Sequence, residues 1–250
     1  AGPFTLEPGA LNELTIGIPW ARTGSGGSRG SFNKLRVADD ICQKLYDNDF
    51  ELLNGPDAPD VTITELDKEI IITIEPSEFT IVNQGVRQSM NTETYREFEA
   101  NVGDYYSFEG YLFYQLADNT VTEADLDNPD RARLIAQCDV ANGVSRIINY
   151  ENDITLGEDI FVPIIKVEGQ DGGIFRTLRV EDDAFAEGDP KLVNHQSYTY
   201  LVLAYGYNAR MAELNLGSNV GDRKEQPFIV GRRNGVRKVA VPHPSVGTIL

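Results

Sequence analysis

Hydrophobic positions recur along this chain with two different periods. In FNKLRVADDICQKLYDNDF, from Phe32 to Phe50, Leu35, Ala38, Ile41, Cys42 and Leu45 return every three or four places. That spacing gathers them on one stripe of an α-helix, while Asp39, Asp40, Gln43 and Lys44 largely take the other side. From Val61 the period drops to two. VTITELDKEIIITIEP places Ile70, Ile72 and Ile74 on one side of a strand that Glu75 and Pro76 end. SFEGYLFYQL (107–116) and the run Ala132–Cys138 read as further strands. The most apolar stretch is HQSYTYLVLAYGYNAR, His195–Arg210. As a strand it puts Tyr198, Tyr200, Val202 and Ala204 on one face and Leu201, Leu203, Tyr205 and Tyr207 on the other. Two apolar faces predict a central strand, covered on at least one side.

Breakers between these segments set the organisation. A turn, LEPGAL, precedes a strand-like LTIGIPWAR that ends near Pro19 and Trp20, and TGSGGSRGS, Thr23–Ser31, has the composition of a flexible linker. The glycines there do not make a phosphate-binding loop: Arg29 occupies the sixth position of the G-x-G-x-x-G pattern, and no Gly-Lys-Ser/Thr follows. Pro56 and Pro59 in LLNGPDAPD mark the domain boundary. The expected order is a strand segment with its linker (1–31), a linker helix (32–55), the main domain (56–244) and a tail (245–250). Within the main domain, residues 77–104 are polar and read as a long irregular loop. TEADLDNPDRAR reads as a short helical or turn segment. Asn142-Gly143, Asp171-Gly172 and Asn234-Gly235 each stand between two strand-like runs. Such dipeptides suit the positive φ of tight hairpins and predict three of them. With no βα alternation, a doubly wound nucleotide-binding sheet is excluded and the fold class is all-β.

Charge narrows the partners. The 250 residues carry a net charge of −17 and a pI near 4.5. Phosphate backbones and anionic membranes are repelled by such a surface, so nucleic acid and membrane insertion are excluded; basic or cationic partners suit it better. No apolar run approaches the roughly 18 residues of a membrane span. The start AGPF, without Met or signal peptide, reads as a mature or excised segment. Cys42 and Cys138 lack metal-ligand spacing, and their separation leaves both the paired and the free state open.

Candidate chemistry is sparse. The two histidines, His195 and His243, come without a G-x-S-x-G elbow or paired Cys/His spacing, and read as turn residues. The acidic tracts Glu158-Asp159, Glu181-Asp182-Asp183 and Glu187–Asp189 read as solvated turns, with no pair identifiable for glycoside chemistry. No cofactor is expected. Calcium is the one metal that DLDNPD suits, through Asp125, Asp127, Asn128 and Asp130, although the EF-hand glycine and terminal glutamate are missing. A helix cap ahead of RARLIAQ, with Pro129 in its first turn, explains the same residues more directly. Among the tyrosines, Tyr95, Tyr105 and Tyr106 beside the polar loop are the candidates for an exposed, carbohydrate-binding surface; Tyr198, Tyr200 and Tyr205 are expected in the core.

The pattern L-x5-Y-x-Y-x-V-x-A, carried by Leu192, Tyr198, Tyr200, Val202 and Ala204, resembles the strand-F signature of fibronectin type III domains. That resemblance implies an elaborated fibronectin type III/immunoglobulin-like β-sandwich, with a tyrosine corner at Tyr198 whose hydroxyl bonds nearby backbone. Residues 56–244 exceed the roughly 100 residues of such sandwiches, the excess falling at 77–104 and 117–165. Over most of the chain, GPFTLEPG, LRVADDICQKLYDNDF, GPDAPDVTITELDKEIII, FEGYLFYQL, ARLIAQCD and LVNHQSYTYLVLAYGYN are together similar to modules of very large secreted surface proteins that carry type IX secretion sorting domains. This implies an extracellular or cell-surface location and a noncatalytic role as scaffold, adhesion surface or assembly subunit. The partner would be protein, copies of the chain included, through strand pairing. The alternative is a carbohydrate-binding accessory module of a secreted enzyme.

Overall fold

A computed structural model describes residues 16–22, 27–47, 54–83, 86–99, 102–122, 125–153, 156, 160–231 and 235–244. The chain divides into two compact units, one reaching to Leu52 and the other starting at Leu53.

In the first unit the helix α1 spans Gly27–Asp47. It starts inside the glycine-serine run that its composition marks as linker. Once the Phe32–Leu35–Ala38 stripe has nucleated a helix, adding a turn costs little, even through poor helix formers. Phe50 and the 245–250 tail lie outside the described residues. Ile16–Arg22 does not form the expected strand: it belongs to no sheet, and Ile16, Ile18 and Trp20 are 72%, 89% and 81% exposed. Alternation prepares a segment for a ladder, but a strand needs a neighbour to complete its hydrogen bonds.

The second unit is an all-β sandwich in which every strand pairing is antiparallel. Its smaller sheet runs β1 (Asp60–Leu66), β2 (Glu69–Glu75), then β10 (Thr177–Val180). Asp67 and Lys68, the latter at φ 53°, turn the chain between β1 and β2. Ile70, Ile72 and Ile74 of β2 are fully buried. Burying each is worth about 1.5–3 kcal/mol, so this one strand supplies a large part of the adhesion between layers.

The expected irregular loop at 77–104 is instead structured. Glu78–Asn83 and Val86–Asn91 pair as the hairpin β3–β4, and β5 (Arg96–Glu99) joins the larger sheet. Between them a 3₁₀ turn over Thr92–Thr94 is capped by Asn91, whose side chain accepts from the Glu93 and Thr94 amides. These strands are polar on much of their length, so a period-two search for apolar residues passes over them.

The larger sheet is built on β6 (Asp104–Leu116) and β11 (Tyr198–Tyr207), which lie side by side. Along the far edge of β6 run β5 and β7 (Ala132–Asp139), end to end. Along the far edge of β11 run β12 (Phe228–Val230) and β13 (Lys238–Ala240), also end to end. Between β11 and β12, α2 (Ala209–Gly217) is capped by Asn208, whose Oδ1 accepts from the Met211 amide at 3.0 Å. A separate hairpin, β8 (Arg146–Asn152) with β9 (Phe161–Glu168), completes the unit.

None of the three dipeptide signals joins its flanking strands into a hairpin. β7 pairs with β6 and β8 with β9, so Asn142-Gly143 is a crossing between sheets. β9 pairs with β8 and β10 with β2, so Asp171-Gly172 is another. β12 and β13 follow one another along the same side of β11; Asn234 itself is outside the described residues. Nor does a helix follow DLDNPD. Pro129 sits in a turn, and Ala132–Asp139 is strand.

Both faces of β11 are covered, as their apolar character requires. Tyr198, Tyr200, Val202 and Ala204 pack toward Ile70, Ile72 and Ile74 in the main core, together with Tyr111 and Phe113 of β6. On the opposite face Leu201 and Leu203 join Ala58, Leu116, Val121 and Ala132, while Tyr205 and Leu112 lie under Ile147 and Val167 of the β8–β9 hairpin. The hairpin is therefore an outer cover on half of that face.

Candidate functional site

One residue in the middle of β6 breaks its pairing with β11. Tyr205 is opposite Gly110 and Gly206 is opposite Phe108, which leaves Glu109 as the extra residue of a β-bulge. The bulge also switches which residues face the main core, from Tyr106 and Phe108 before it to Tyr111 and Phe113 after it. Its consequence is a carboxylate, 3% exposed, in the middle of the larger sheet.

Around Glu109 the chain assembles three acids and an amide. Asp139, the last residue of β7, is also 3% exposed. Its Oδ2 accepts from the Asp171 amide at 3.0 Å and its Oδ1 from the Gly172 amide at 3.1 Å. Asp171 returns the arrangement: its Oδ1 accepts from the amides of Asn142 (2.7 Å) and Gly143 (3.0 Å), its Oδ2 from Gly143 at 3.1 Å. The Asn142 side-chain amide donates to both oxygens of Glu109, at 3.1 and 2.9 Å. Asp171 holds φ at 52° and Gly143 at 91°. The two dipeptides thus do adopt turn backbone, but each turn is bound to the other and to the end of β7.

Chemically this is a set of anions held by peptide N–H groups. Every carboxylate oxygen in it already accepts from a donor, which is the opposite of a cation cage, where oxygens converge on a vacant centre. Burial is the largest influence on Glu109 and holds its carboxyl up, to about 7; the Asn142 hydrogen bonds act against this, and the charges of Asp139 and Asp171 add to it. The Tyr205 hydroxyl ends here as well. It is fully buried, has no hydrogen-bond partner among the described residues, and would lie 2.7 Å from a Cβ built on Gly110. Burial, then Asp139, Glu109 and Cys138, push its ionisation well above the usual phenol range. Gly169 is required at the cluster's edge, because a Cβ there would come within 2.0 Å of Asp139 Oδ2.

The residues singled out from the sequence fall elsewhere. Leu192, Tyr198, Tyr200, Val202 and Ala204 are all buried in the main core. Tyr198 Oη accepts from the Val193 amide at 2.8 Å, the corner hydrogen bond. Of the three tyrosines expected at the surface, Tyr95 and Tyr106 are buried, at 1% and 4% exposure. Tyr106 lies in the core because it precedes the bulge on the inward face, and its hydroxyl donates to the Gln226 carbonyl at 2.6 Å. Tyr105 points the other way and is 40% exposed, with the Phe98 ring 5.0 Å from it and the Arg96 guanidinium 4.4 Å above it.

In the acidic segment, Asp125 Oδ2 accepts from the Thr122 amide and hydroxyl, at 2.8 and 2.9 Å, and Asn128 Oδ1 from the Asp130 amide at 3.0 Å. Among the described residues no group of three or more acids, cysteines or histidines has metal-holding geometry. Glu181 and Asp182 pair with Lys191 at 3.4 and 2.8 Å, and Asp183 Oδ1 accepts from Gln115 at 2.6 Å. Asp189 Oδ1 accepts from the Lys191 amide at 3.1 Å; Glu158 and Asp159 lie outside the described residues. His195 sits in left-handed backbone at φ 66°, and His243 Nε2 is 3.7 Å from Glu65. Cys42 and Cys138 are free thiols, the first exposed and the second buried.

Glu109, Asp139, Asn142 and Asp171 were not distinguishable as a group in the sequence, because three separate segments contribute them. One local signal was present: a charged residue followed by glycine inside an apolar strand, with aromatic spacing of three across it, marks a bulge. Compared with protein-family models, curated proteins and solved structures, the chain matches none.

Proposed function

We propose that residues 56–244 are an elaborated fibronectin type III-like module of a large secreted surface protein, exported by the type IX route and acting outside the cell as a noncatalytic scaffold or adhesion element. The strand order supports the resemblance. A sheet of β1, β2 and β10 faces one in which β6 and β11 are flanked by β7 and β13, and Tyr198 makes the corner hydrogen bond. One observation carries the functional reading. The chemically capable groups gathered in this unit, Tyr198, Tyr200 and Tyr205 of β11 and the carboxylates of Glu109, Asp139 and Asp171, are engaged in holding layers and loops together. The remaining polar loops and strand edges are left to make contacts.

Deleting residues 56–244 from the parent protein in its producing cell tests this. Export retained with attachment or surface assembly lost supports the proposal. Unchanged attachment together with loss of an enzymatic activity overturns it.

Self-association has its own motivation in the exposed, unpaired alternation Ile16–Ile18–Trp20, which is suited to strand addition on another copy. Light scattering on a chain lacking residues 1–23 decides it; an unchanged particle mass rules this contact out. A second reading rests on Tyr105, whose half-exposed ring beside Phe98 and under Arg96 offers a stacking platform for a sugar. Glycan-array binding abolished by Tyr105→Ala would favour that accessory-module role, and an array without binding would dismiss it.

A further inference from the structure

Ahead of the bulge, the first residues of β6 alternate between the two sides of the sheet, and β5 alternates beside them. Tyr106 and Phe108 face the main core. Tyr105 and Ser107 therefore face out, and so do the residues opposite them on β5, Phe98 and Arg96. Tyr207 of β11, opposite Ser107 on its other side, extends the same face. Glu97, Glu99 and Asp104 fall on the far side of the β5–β6 ribbon. The outer face of that ribbon thus carries a single full charge, and it is positive.

The Arg96 guanidinium lies 4.4 Å above the Tyr105 ring, and the Phe98 ring stands 5.0 Å from the same tyrosine at 59°. None of the described carboxylates pairs with Arg96. Stacking fixes the plane of a guanidinium while leaving the N–H donors around its edge free for a planar anion. Ser107 puts a short side chain between Arg96 and Tyr207, so a ligand can sit down among the longer ones.

We propose that this face binds an acidic sugar: the carboxylate of an isolated uronate in an otherwise neutral glycan pairs with Arg96, while the C–H face of the sugar packs on the rings of Phe98, Tyr105 and Tyr207. The proposal rests on the accessory-module reading and names the class of sugar that such a module would take.

A uronate supplies both halves of the match from one ring. It has a flat C–H face for the aromatic side chains and a planar carboxylate for a guanidinium fork. A neutral sugar leaves the fork to water, and an acidic peptide brings the carboxylate without the stacking face. The net charge of −17 limits how many carboxylates the glycan can carry. It repels a dense polyanion on approach, so heavily sulfated or uniformly uronic chains are disfavoured. At physiological salt that repulsion fades beyond about 8 Å, and one direct ion pair on the sheet face is made well inside this distance.

A glycan array printed with matched pairs tests this on the whole chain. Each pair holds a uronate-bearing oligosaccharide beside the same oligosaccharide with its carboxyl reduced to the alcohol. The acidic members should bind about 10-fold more tightly, the effect of one charge-assisted pair. Arg96→Gln should bring them down to the level of their neutral twins, and Tyr105→Ala should weaken both. Equal binding of the twins overturns the proposal and leaves the sugar platform standing. An array without binding removes the platform as well. A glutamate-rich peptide that binds more tightly than any acidic glycan also overturns it, in favour of a protein partner. The matched pairs on the unaltered chain decide the outcome whether or not the variants fold.

Discussion

Three tyrosines on one strand should respond to the same substitution in two different ways. Tyr198, Tyr200 and Tyr205 of β11 are 4%, 1% and 0% exposed, so changing each to Phe keeps the ring and its packing and removes one buried oxygen. At Tyr198 that oxygen accepts the Val193 amide at 2.8 Å. Val193 is 55% exposed, so water can reach the freed amide, and the loss is that of one ordinary hydrogen bond, about 1 kcal/mol. At Tyr200 and Tyr205 the hydroxyls have no partner among the described residues. Removing a buried polar group without a partner recovers its desolvation cost, about 1 kcal/mol or more in favour of the fold. Tyr198→Phe and Tyr205→Phe should therefore differ by about 2 kcal/mol, with opposite signs against the parent. Urea unfolding reads this as shifted midpoints at constant slope. Equal losses at all three positions would refute the reasoning, since they would mean that the inner two hydroxyls are also hydrogen-bonded.

Gly169→Ala should destabilise by about 3 kcal/mol, because the new Cβ would meet Asp139 Oδ2 at 2.0 Å and force that carboxylate off the two amides it holds; urea unfolding measures it, and an unchanged midpoint would contradict this packing around Asp139. Thiol titration of the native chain should find one reactive cysteine, Cys42. Cys138 is buried, its thiol pushed up by that burial, and should react only on unfolding; two fast thiols would contradict its burial.

What the sequence made legible follows from how much of each signal is local. The two faces of β11 were readable because alternation runs unbroken through ten residues and a one-residue error would move every ring to the wrong side. The buried isoleucines of β2 were readable for the same reason. Pairing partners were not. Asn-Gly and Asp-Gly set φ over two residues, and that requirement is met by any tight reversal or crossing. Of the two hairpins that close through two residues, β1–β2 turns at Asp67-Lys68 without a glycine. β3 and β4 were missed because polar residues interrupt their sequence; Met90 touches the core, while Glu78, Thr80 and Ser89 are exposed. The reverse holds at Ile16–Trp20, where alternation is present and the segment pairs with no strand among the described residues.

The carboxylate cluster shows why a site can be unreadable even when each of its parts is visible. Glu109 is a lone charge in SFEGYLF, Asp139 a strand end, and Asn142-Gly143 and Asp171-Gly172 two turns; each has a sufficient local explanation. What joins them is the bulge, which turns Glu109 toward the β8–β9 side of the sheet, and the decision of β8 to pair with β9 instead of β7. That decision brings both turns to the same end of one hairpin, within reach of Asp139. Once there, four peptide amides stand near two carboxylates, one of them buried, and each amide finds an acceptor. The same economy sets Glu109 apart: the peptide amides of the two turns are already used by its neighbours, and both of its own oxygens depend on the one Asn142 side chain.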